Sequence, residues 1–459
     1  MKQSPPIELV SDPASLAHYG RDWTRFWSPA PSAVAFPTST QEVVELVHWA
    51  RQTRTALVPS GGRTGLSGGA VAAHGEVVVS LDRMRESLGL DSAEPSITVQ
   101  AGMPVGELQR LATEAGWFYP VDWAAAGSSQ VGGSIATNAG GIRVLRYGMT
   151  RNWVNGLTVV TGRGEVLELN RGLLKNNTGL DLRHLMIGSE GTLGIITEAT
   201  MALTVPPPEQ SVLLLGFTGL EAIMPVFERL RRGLQLSAFE FFDRAAAGYV
   251  GARSGKAFPL DPDCPCYALV EFDDPEQGNQ DRALALFEEL VESGLIADGT
   301  LSQSGAQAAE LWAWREAISE SLAEHVPYKN DLSVRIGRVT QFLSDLDALV
   351  ACHYPDFEVV WFGHIGDGNL HMNVLKPADW SIEDFHRAGK ALSPKVFKLV
   401  QEHGGSISAE HGVGLLKRDD LGWSRSAAEL SMMSVIRAQF DPDGILNPGK
   451  MLPANLLSL

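Results

Sequence analysis

A chain of 459 residues with a net charge of −17 is too long for one ordinary domain and too acidic to favour nucleic acid or an anionic membrane surface as partner. Three cysteines, two of them in Cys264-Pro265-Cys266, make neither a disulfide framework nor a zinc finger, and no run approaches the roughly 18 apolar residues of a membrane span. Met1 to Val10 carries no presequence pattern, so a cytoplasmic, reducing setting is expected.

Ser39 or Thr40 caps a helix predicted through Ala50, with Glu42 and Glu45 in its first turns and Val43, Val44, Leu46 and Val47 as its apolar stripe. A short strand, Thr55 to Val58, leads into Pro59-Ser60-Gly61-Gly62-Arg63-Thr64-Gly65-Leu66-Ser67-Gly68-Gly69. Five glycines in the nine residues from Gly61 leave backbone N–H groups able to approach an anion closely. No Lys-Ser/Thr follows, so this is no nucleotide P-loop, and the glycines miss the dinucleotide fingerprint. Strands are predicted at Val77 to Ser80 and Ser96 to Gln100, and a helix at Val105 to Ala115. A second small-residue stretch, Gly127 to Gly141, lets the main chain itself line a long ligand. Together the two linings predict an extended, phosphate-containing cofactor. A third patch, Ile187 to Ile195, fits the same picture and leads into a strand.

Val205-Pro206-Pro207-Pro208 ends any regular element and marks the clearest boundary. Beyond it, strands (Ser211 to Phe217, Tyr267 to Phe272) alternate with helices (Glu221 to Leu230, Asp281 to Ser293), which predicts an α+β domain around an antiparallel sheet. A helix pattern from Ala308 to Glu324 sets Arg315 and Ser319 four residues apart, so that they project together. Lys329 follows. By spacing alone, Arg315 and Lys329 read as solvated charges beside Glu316, Glu320 and Glu324.

Apolar runs, Phe357 to Phe362 and Leu370 to Leu375, flank Asp367-Gly368, the preferred sequence of a two-residue hairpin turn. That register pairs Gly366 with Asn369 and Ile365 with Leu370 and sets His364 opposite His371. Facing Cβ atoms then lie about 4.5–5.5 Å apart, short enough for two imidazoles to share a metal ion, and Asn373 points to the same face. After a helix from Asp384 to His403, the fragment Ser406 to Gly412 offers Glu410 as a third ligand and His411 as a base. Two His and one Glu with an open position suit catalytic zinc, with manganese or iron as alternatives. Facing histidines also pack without any metal, and the same four residues suit a metallohydrolase, which leaves the glycine linings without a purpose. A helix is predicted from Ala427 to Phe440. Gly444 to Lys450 has P-loop spacing, but Met451 stands where a hydroxyl must hold magnesium.

In order and spacing, Pro59 to Gly69, Gly127 to Gly141, Gly188 to Ile195, Gly363 to Asn373, Ser408 to Gly414 and Ile445 to Lys450 resemble the motifs of FAD-dependent D-2-hydroxy acid dehydrogenases of the vanillyl-alcohol-oxidase class, over essentially the whole chain. The resemblance implies an α+β fold: a two-lobed FAD-binding domain (1–205), a substrate-binding domain with an antiparallel sheet (206–400), and a C-terminal segment (401–459) that completes the active site and returns to the FAD domain. It implies His364, His371 and Glu410 as metal ligands, His411 as catalytic base, and Arg315, Ser319, Lys329 and Asn373 as substrate contacts. FAD is expected against Ser60, Gly61, Gly62, Arg63, Thr64 and Gly65, then Gly127, Ser128, Ser129, Gly132, Gly133, Thr137, Asn138 and Gly141, with Ile195 and Asn447 closing the set. Members that attach FAD covalently often carry His where this chain has Arg63, so noncovalent FAD is expected. The implied metal is zinc, with manganese as alternative. The implied reaction is oxidation of D-2-hydroxyglutarate to 2-oxoglutarate, hydride passing to FAD and electrons on to an electron-transfer flavoprotein or a quinone. D-lactate and D-malate are the alternative substrates, relatives of this kind often form homodimers, and neither nucleic acid nor an integral membrane contact is implied.

Overall fold

The computed structural model describes residues 4–24, 26–261, 263–275 and 278–456; Met1 to Gln3, part of the stretch read for a presequence, lie outside them. The chain folds as two compact units: Met1–Gly141, Gly148–Pro206 and Glu410–Leu459 in the first, and Ile142–Tyr147 with Pro207–Ala409 in the second. Among the described residues no helix is long and apolar enough to cross a membrane.

The first unit holds two sheets. In one, Leu9–Val10, Ala33–Ala35, Val77–Ser80 and Leu57–Ser60 stand in that order, the last three parallel. The other is antiparallel, in the order Ser87–Asp91, Ser96–Gln100, Gly194–Ala202, Val154–Thr161, Val166–Leu169. The helix Thr40–Thr53 begins where the Ser39 hydroxyl accepts the Glu42 N–H at 3.2 Å, and it buries Val43, Leu46, Val47 and Ala50 in a core drawn from both sheets. The C-terminal tail extends the parallel sheet. Leu57 N–H donates to the Ile445 carbonyl at 2.8 Å, and Asn447 N–H donates to the Leu57 carbonyl at 2.7 Å.

The second unit is built on seven antiparallel strands, in the order Ile296–Leu301, Gln210–Phe217, Cys266–Asp273, Leu236–Asp243, Val359–Gly363, Asn369–Val374, Tyr328–Ser333. On one face Val212, Leu214, Phe242, Tyr267, Leu269, Val360 and Phe362 pack against Val250, Leu311, Trp312 and Ile318. Each fully buried side chain of that size contributes about 1.5–3 kcal/mol. The helix expected over Ala308 to Glu324 is shorter and kinked: Gly305–Glu316 is followed, past Ala317, by Ile318–Ser321. Leu311, Trp312, Arg315, Ile318 and Leu322 stay buried through the kink, whereas Ser319 is exposed.

The hairpin register differs from the expected one. His371 faces Phe362, Met372 faces Trp361 and Asn373 faces Val360, so the connection runs from His364 to Gly368. Its residues are captured by neighbouring strands: Gly366 N–H donates to the Phe239 carbonyl at 3.0 Å, and Val334 N–H donates to the Gly368 carbonyl at 3.1 Å. Within the connection the His364 carbonyl accepts from Asp367 and Asn369 N–H, and only Gly368, not Asp367, takes a positive φ. The two-residue turn, which needs positive φ at both positions, therefore does not form. A shift of two residues preserves the face of every paired side chain, while His364, just past the strand end, is held by Glu240 with its ring 5.4 Å from that of His371.

Candidate active site

Directly opposed residues of antiparallel strands share a face. Lys329 faces Asn373, Asp331 faces His371, His371 faces Phe362, and Phe362 faces Phe242. Two residues before Phe242, Glu240 stands on that face as well. A polar row of Lys329, Asp331, Asn373, His371 and Glu240 thus crosses a sheet face otherwise packed with aromatic and aliphatic side chains. Asn373 is buried, its amide donating to the carbonyls of His371 at 3.2 Å and Val360 at 3.4 Å.

The rings of His364 and His371 lie 5.4 Å apart between centroids and nearly perpendicular, at 84°. His364 Nδ1 is 2.8 Å from Glu240 Oε1. A carboxylate can only accept, so Nδ1 carries a proton and Nε2 is the nitrogen left to face a metal, the orientation a metal ligand needs. The other Glu240 oxygen, Oε2, lies 2.8 Å from a terminal nitrogen of Arg315, close enough for charge pairing though not aligned as a hydrogen bond. Burial opposes the charge on Glu240, but His364 and Arg315 outweigh it and hold its carboxyl below the usual range. Arg315 is itself buried, its guanidinium 4.9 Å from the Phe362 ring centroid, and its Nε has no hydrogen-bond partner. Lys329 reaches solvent, yet the protein around it displaces enough water to push its ammonium below the ordinary lysine range.

On the outer side of the edge strand, Ser333 and Ser406 exchange backbone hydrogen bonds at 3.0 and 2.8 Å, and Asp331 Oδ2 accepts the Ala409 N–H at 3.1 Å. The next residue is Glu410. Among the described residues, His364, His371 and Glu410 form a group whose ligand atoms lie within 4.8 Å of one another. That donor set, with one imidazole already held in the ligating tautomer, fits a divalent cation. His411 Nε2 lies 3.4 Å from Glu410 Oε1.

In the first unit the two glycine-rich stretches meet. Thr64 Oγ1 and Ser129 Oγ are 2.8 Å apart, and Trp123 Nε1 donates to the same Ser129 oxygen at 3.0 Å. A Cβ on Gly62 would stand 2.0 Å from the Ser128 carbonyl oxygen, so only glycine permits this approach. Ser60 Oγ is buried without a partner, while a Cβ on Gly127 or Gly133 would meet nothing within 4 Å. An orphaned hydroxyl beside open glycine backbone is what a long ligand with acceptor oxygens requires. Arg63 donates to the Gly61 carbonyl at 2.9 Å and lies over the Tyr19 ring at 4.5 Å. Other members of the expected set are turned to the protein. Thr137 caps the Gly133 carbonyl, Asn138 takes φ 53° and accepts the Arg151 N–H, Gly141 packs within reach of the Asp122 carbonyl, and the Ile195 side chain is in the core. Asn447 spends its amide on the carbonyls of Gly69 at 2.9 Å and Glu190 at 2.7 Å.

The sequence reading missed Glu240, Asp331 and Glu190. Glu240 sits within Phe239-Glu240-Phe241-Phe242, and a lone acid in an aromatic strand is the available signal, since such a charge persists only when paired.

Residues 31–170 match the FAD binding domain model, and residues 206–451 match the model of FAD linked oxidases, C-terminal domain. This chain belongs to the FAD-linked oxidase family. Within that family it is 52% identical over 98% of its length to a D-2-hydroxyglutarate dehydrogenase of Stutzerimonas stutzeri, covering 97% of that protein. It is 53% identical over 97% of its length to one from Xanthomonas citri pv. viticola, covering 94% of it. Among solved structures, 4-ethylphenol oxidase from Gulosibacter chungangensis superposes with a TM-score of 0.73 at 18% identity, over 98% of this chain and 95% of the other. That likeness carries the fold alone: a first unit with one mainly parallel and one antiparallel sheet, and an α+β second unit on an antiparallel sheet. The chain is thus a flavoprotein oxidoreductase.

Proposed function

We propose that this enzyme oxidises D-2-hydroxyglutarate to 2-oxoglutarate, with residues 1–205 binding FAD, 206–400 binding the acid and 401–459 supplying the base. The observation that carries the substrate is Arg315: a buried guanidinium with an unpartnered Nε, on the sheet face that also bears Lys329. Two cations suit an acid with two carboxylates, Arg315 through its planar fork and Lys329 as a point charge. The names of the relatives at 52% and 53% identity support the same acid.

Bound FAD supplies the acceptor for the hydride leaving the α-carbon. His364, His371 and Glu410 would hold a divalent metal, which would supply positive charge that lowers the pKa of the α-hydroxyl. Zinc suits the donor set, and manganese is the alternative. His411 takes the hydroxyl proton, so the carbinol loses one hydride and one proton and becomes the ketone. Asn373 completes the polar lining, and Ser319, exposed past the kink, is proposed as a further contact. FAD is held noncovalently by the Ser60–Gly65 and Gly127–Gly141 stretches, because Arg63 has no nucleophilic nitrogen to attach it and is already engaged with Gly61 and Tyr19. The proposed final electron acceptor is an electron-transfer flavoprotein, with a quinone as the alternative.

Anaerobic mixing tests this reading. D-2-hydroxyglutarate, D-lactate, D-malate and glycolate are each added to the yellow protein, with and without prior chelation. Fast bleaching by D-2-hydroxyglutarate that chelation abolishes and zinc restores is expected. Faster bleaching by D-lactate overturns the substrate, and bleaching indifferent to chelation overturns the metal.

A further inference from the structure

We infer that Glu240 is a positioning residue that couples the histidine pair to the substrate-binding arginine. The inference rests on the roles proposed above for His364 and Arg315. One carboxylate, 1% exposed, spends Oε1 on His364 Nδ1 and Oε2 on the Arg315 guanidinium, each at 2.8 Å. Its two oxygens are fixed to one planar carbon on a central strand, so any movement of the carboxylate disturbs both contacts at once. Water does not reach the carboxylate to replace a lost contact. The His364 contact fixes the ring's tautomer and plane, as outer carboxylates do for metal-bound imidazoles. The Arg315 contact keeps the guanidinium over Phe362 and leaves its Nε edge unspent. Glu240 therefore sets, through a single group, both the donor atom offered to the metal and the orientation of the carboxylate grip.

Glutamine in its place keeps the shape but offers one acceptor and one donor, so it serves His364 or Arg315 and never both. The experiment compares wild-type flavoprotein with E240Q and E240D. Zinc affinity is measured without substrate, by competition with a chromogenic chelator, and KM and kcat for D-2-hydroxyglutarate are measured at saturating zinc. Expected for E240Q are a 10- to 100-fold loss of zinc affinity, a KM raised at least fivefold even at saturating zinc, and unchanged flavin content. E240D keeps the charge but shortens the reach by one methylene, so the same paired losses are expected; if E240Q fails to hold flavin, E240D decides by the same criteria. Zinc affinity within twofold of wild type, or weakened zinc binding with an unchanged KM, overturns the coupling. Those outcomes leave the metal reading intact as long as wild type binds zinc and H371A does not. Wild-type protein that binds no zinc removes the metal reading itself, and the coupling with it.

Discussion

Asn447 donates its amide to the main-chain carbonyl of Glu190 at 2.7 Å, and the Glu190 side chain in turn accepts the N–H groups of Val413 and Gly414, one on each oxygen, at 2.7 Å. Lys450 anchors the arrangement by donating to Asn447 Oδ1 at 2.7 Å and to the Val71 carbonyl at 2.6 Å. Burial pushes Glu190 up and Lys450 down, to about 8, so each needs the other polar groups around it. The clamp grips the turn that begins at His411. Glu190→Gln can satisfy only one of the two N–H groups, and a buried donor left without a partner costs about 1–3 kcal/mol. Where that cost falls on the placement of the base, kcat drops by roughly 5- to 150-fold, while KM stays within about threefold of wild type. Steady-state kinetics on fully flavin-loaded E190Q measure this, and an undiminished kcat removes Glu190 from the placement of His411.

Two glycines of the cofactor stretches separate folding from binding. Gly62→Ala drives a methyl to 2.0 Å from the Ser128 carbonyl oxygen and 2.9 Å from Ser129 Cα, forcing the stretches apart. Purified G62A is expected with a lowered flavin-to-protein absorbance ratio and a lowered melting temperature. Gly133→Ala meets nothing within 4 Å and lies inside the helix Val131–Thr137, where alanine is the better helix former by about 1 kcal/mol. Its apoprotein should melt no lower than wild type, yet FAD should bind at least tenfold more weakly. Unaltered FAD affinity in G133A moves the cofactor away from this helix.

The contrast between these glycines bears on how much was legible in the chain. Local chemistry wrote the helices: Ser39, read as a cap ahead of Glu42, accepts the Glu42 N–H. The strand Leu236–Asp243, buried on both faces without alternation, was not read from the sequence. The hairpin turn was misjudged because Phe239 and Val334, distant in sequence, bind the residues of the connection and override the local Asp-Gly preference. His364 and His371 were legible as a pair because the chain reverses between them, which brings the two rings together in either register. Glu240 was not, since what makes it part of the site is its pairing with a histidine in the hairpin connection and an arginine on a helix, which sequence spacing does not encode.

The histidine pair makes a prediction independent of flavin. His371→Ala removes one imidazole from the group formed with His364 and Glu410, while the glycine-rich stretches lie in other segments of the chain. Elemental analysis of purified H371A should find the bound divalent metal lost, with the yellow colour retained and turnover lowered at least a thousandfold. Dialysis of wild type against a strong chelator should reproduce the loss, and zinc or manganese should reverse it in wild type but not in H371A. An H371A protein that keeps a stoichiometric metal refutes the ligand assignment.

Lys329 gives a pH dependence whose sign follows from desolvation. Burial disfavours the ammonium, so the charge that draws a carboxylate is lost at lower pH than for an ordinary lysine at 10.5. KM for D-2-hydroxyglutarate should therefore be low while Lys329 is protonated and rise with pH through its lowered pKa, with kcat at saturation nearly flat over that limb. Lys329→Arg keeps its charge throughout and should flatten the rise. Lys329→Ala loses a charged hydrogen bond of about 1.5–3 kcal/mol, equivalent to a KM raised roughly 10- to 150-fold at neutral pH. D-lactate, which lacks the second carboxylate, should show neither effect. The same alkaline rise with D-lactate, or its persistence in K329R, would assign the titration to a different group and take Lys329 away from the distal carboxylate.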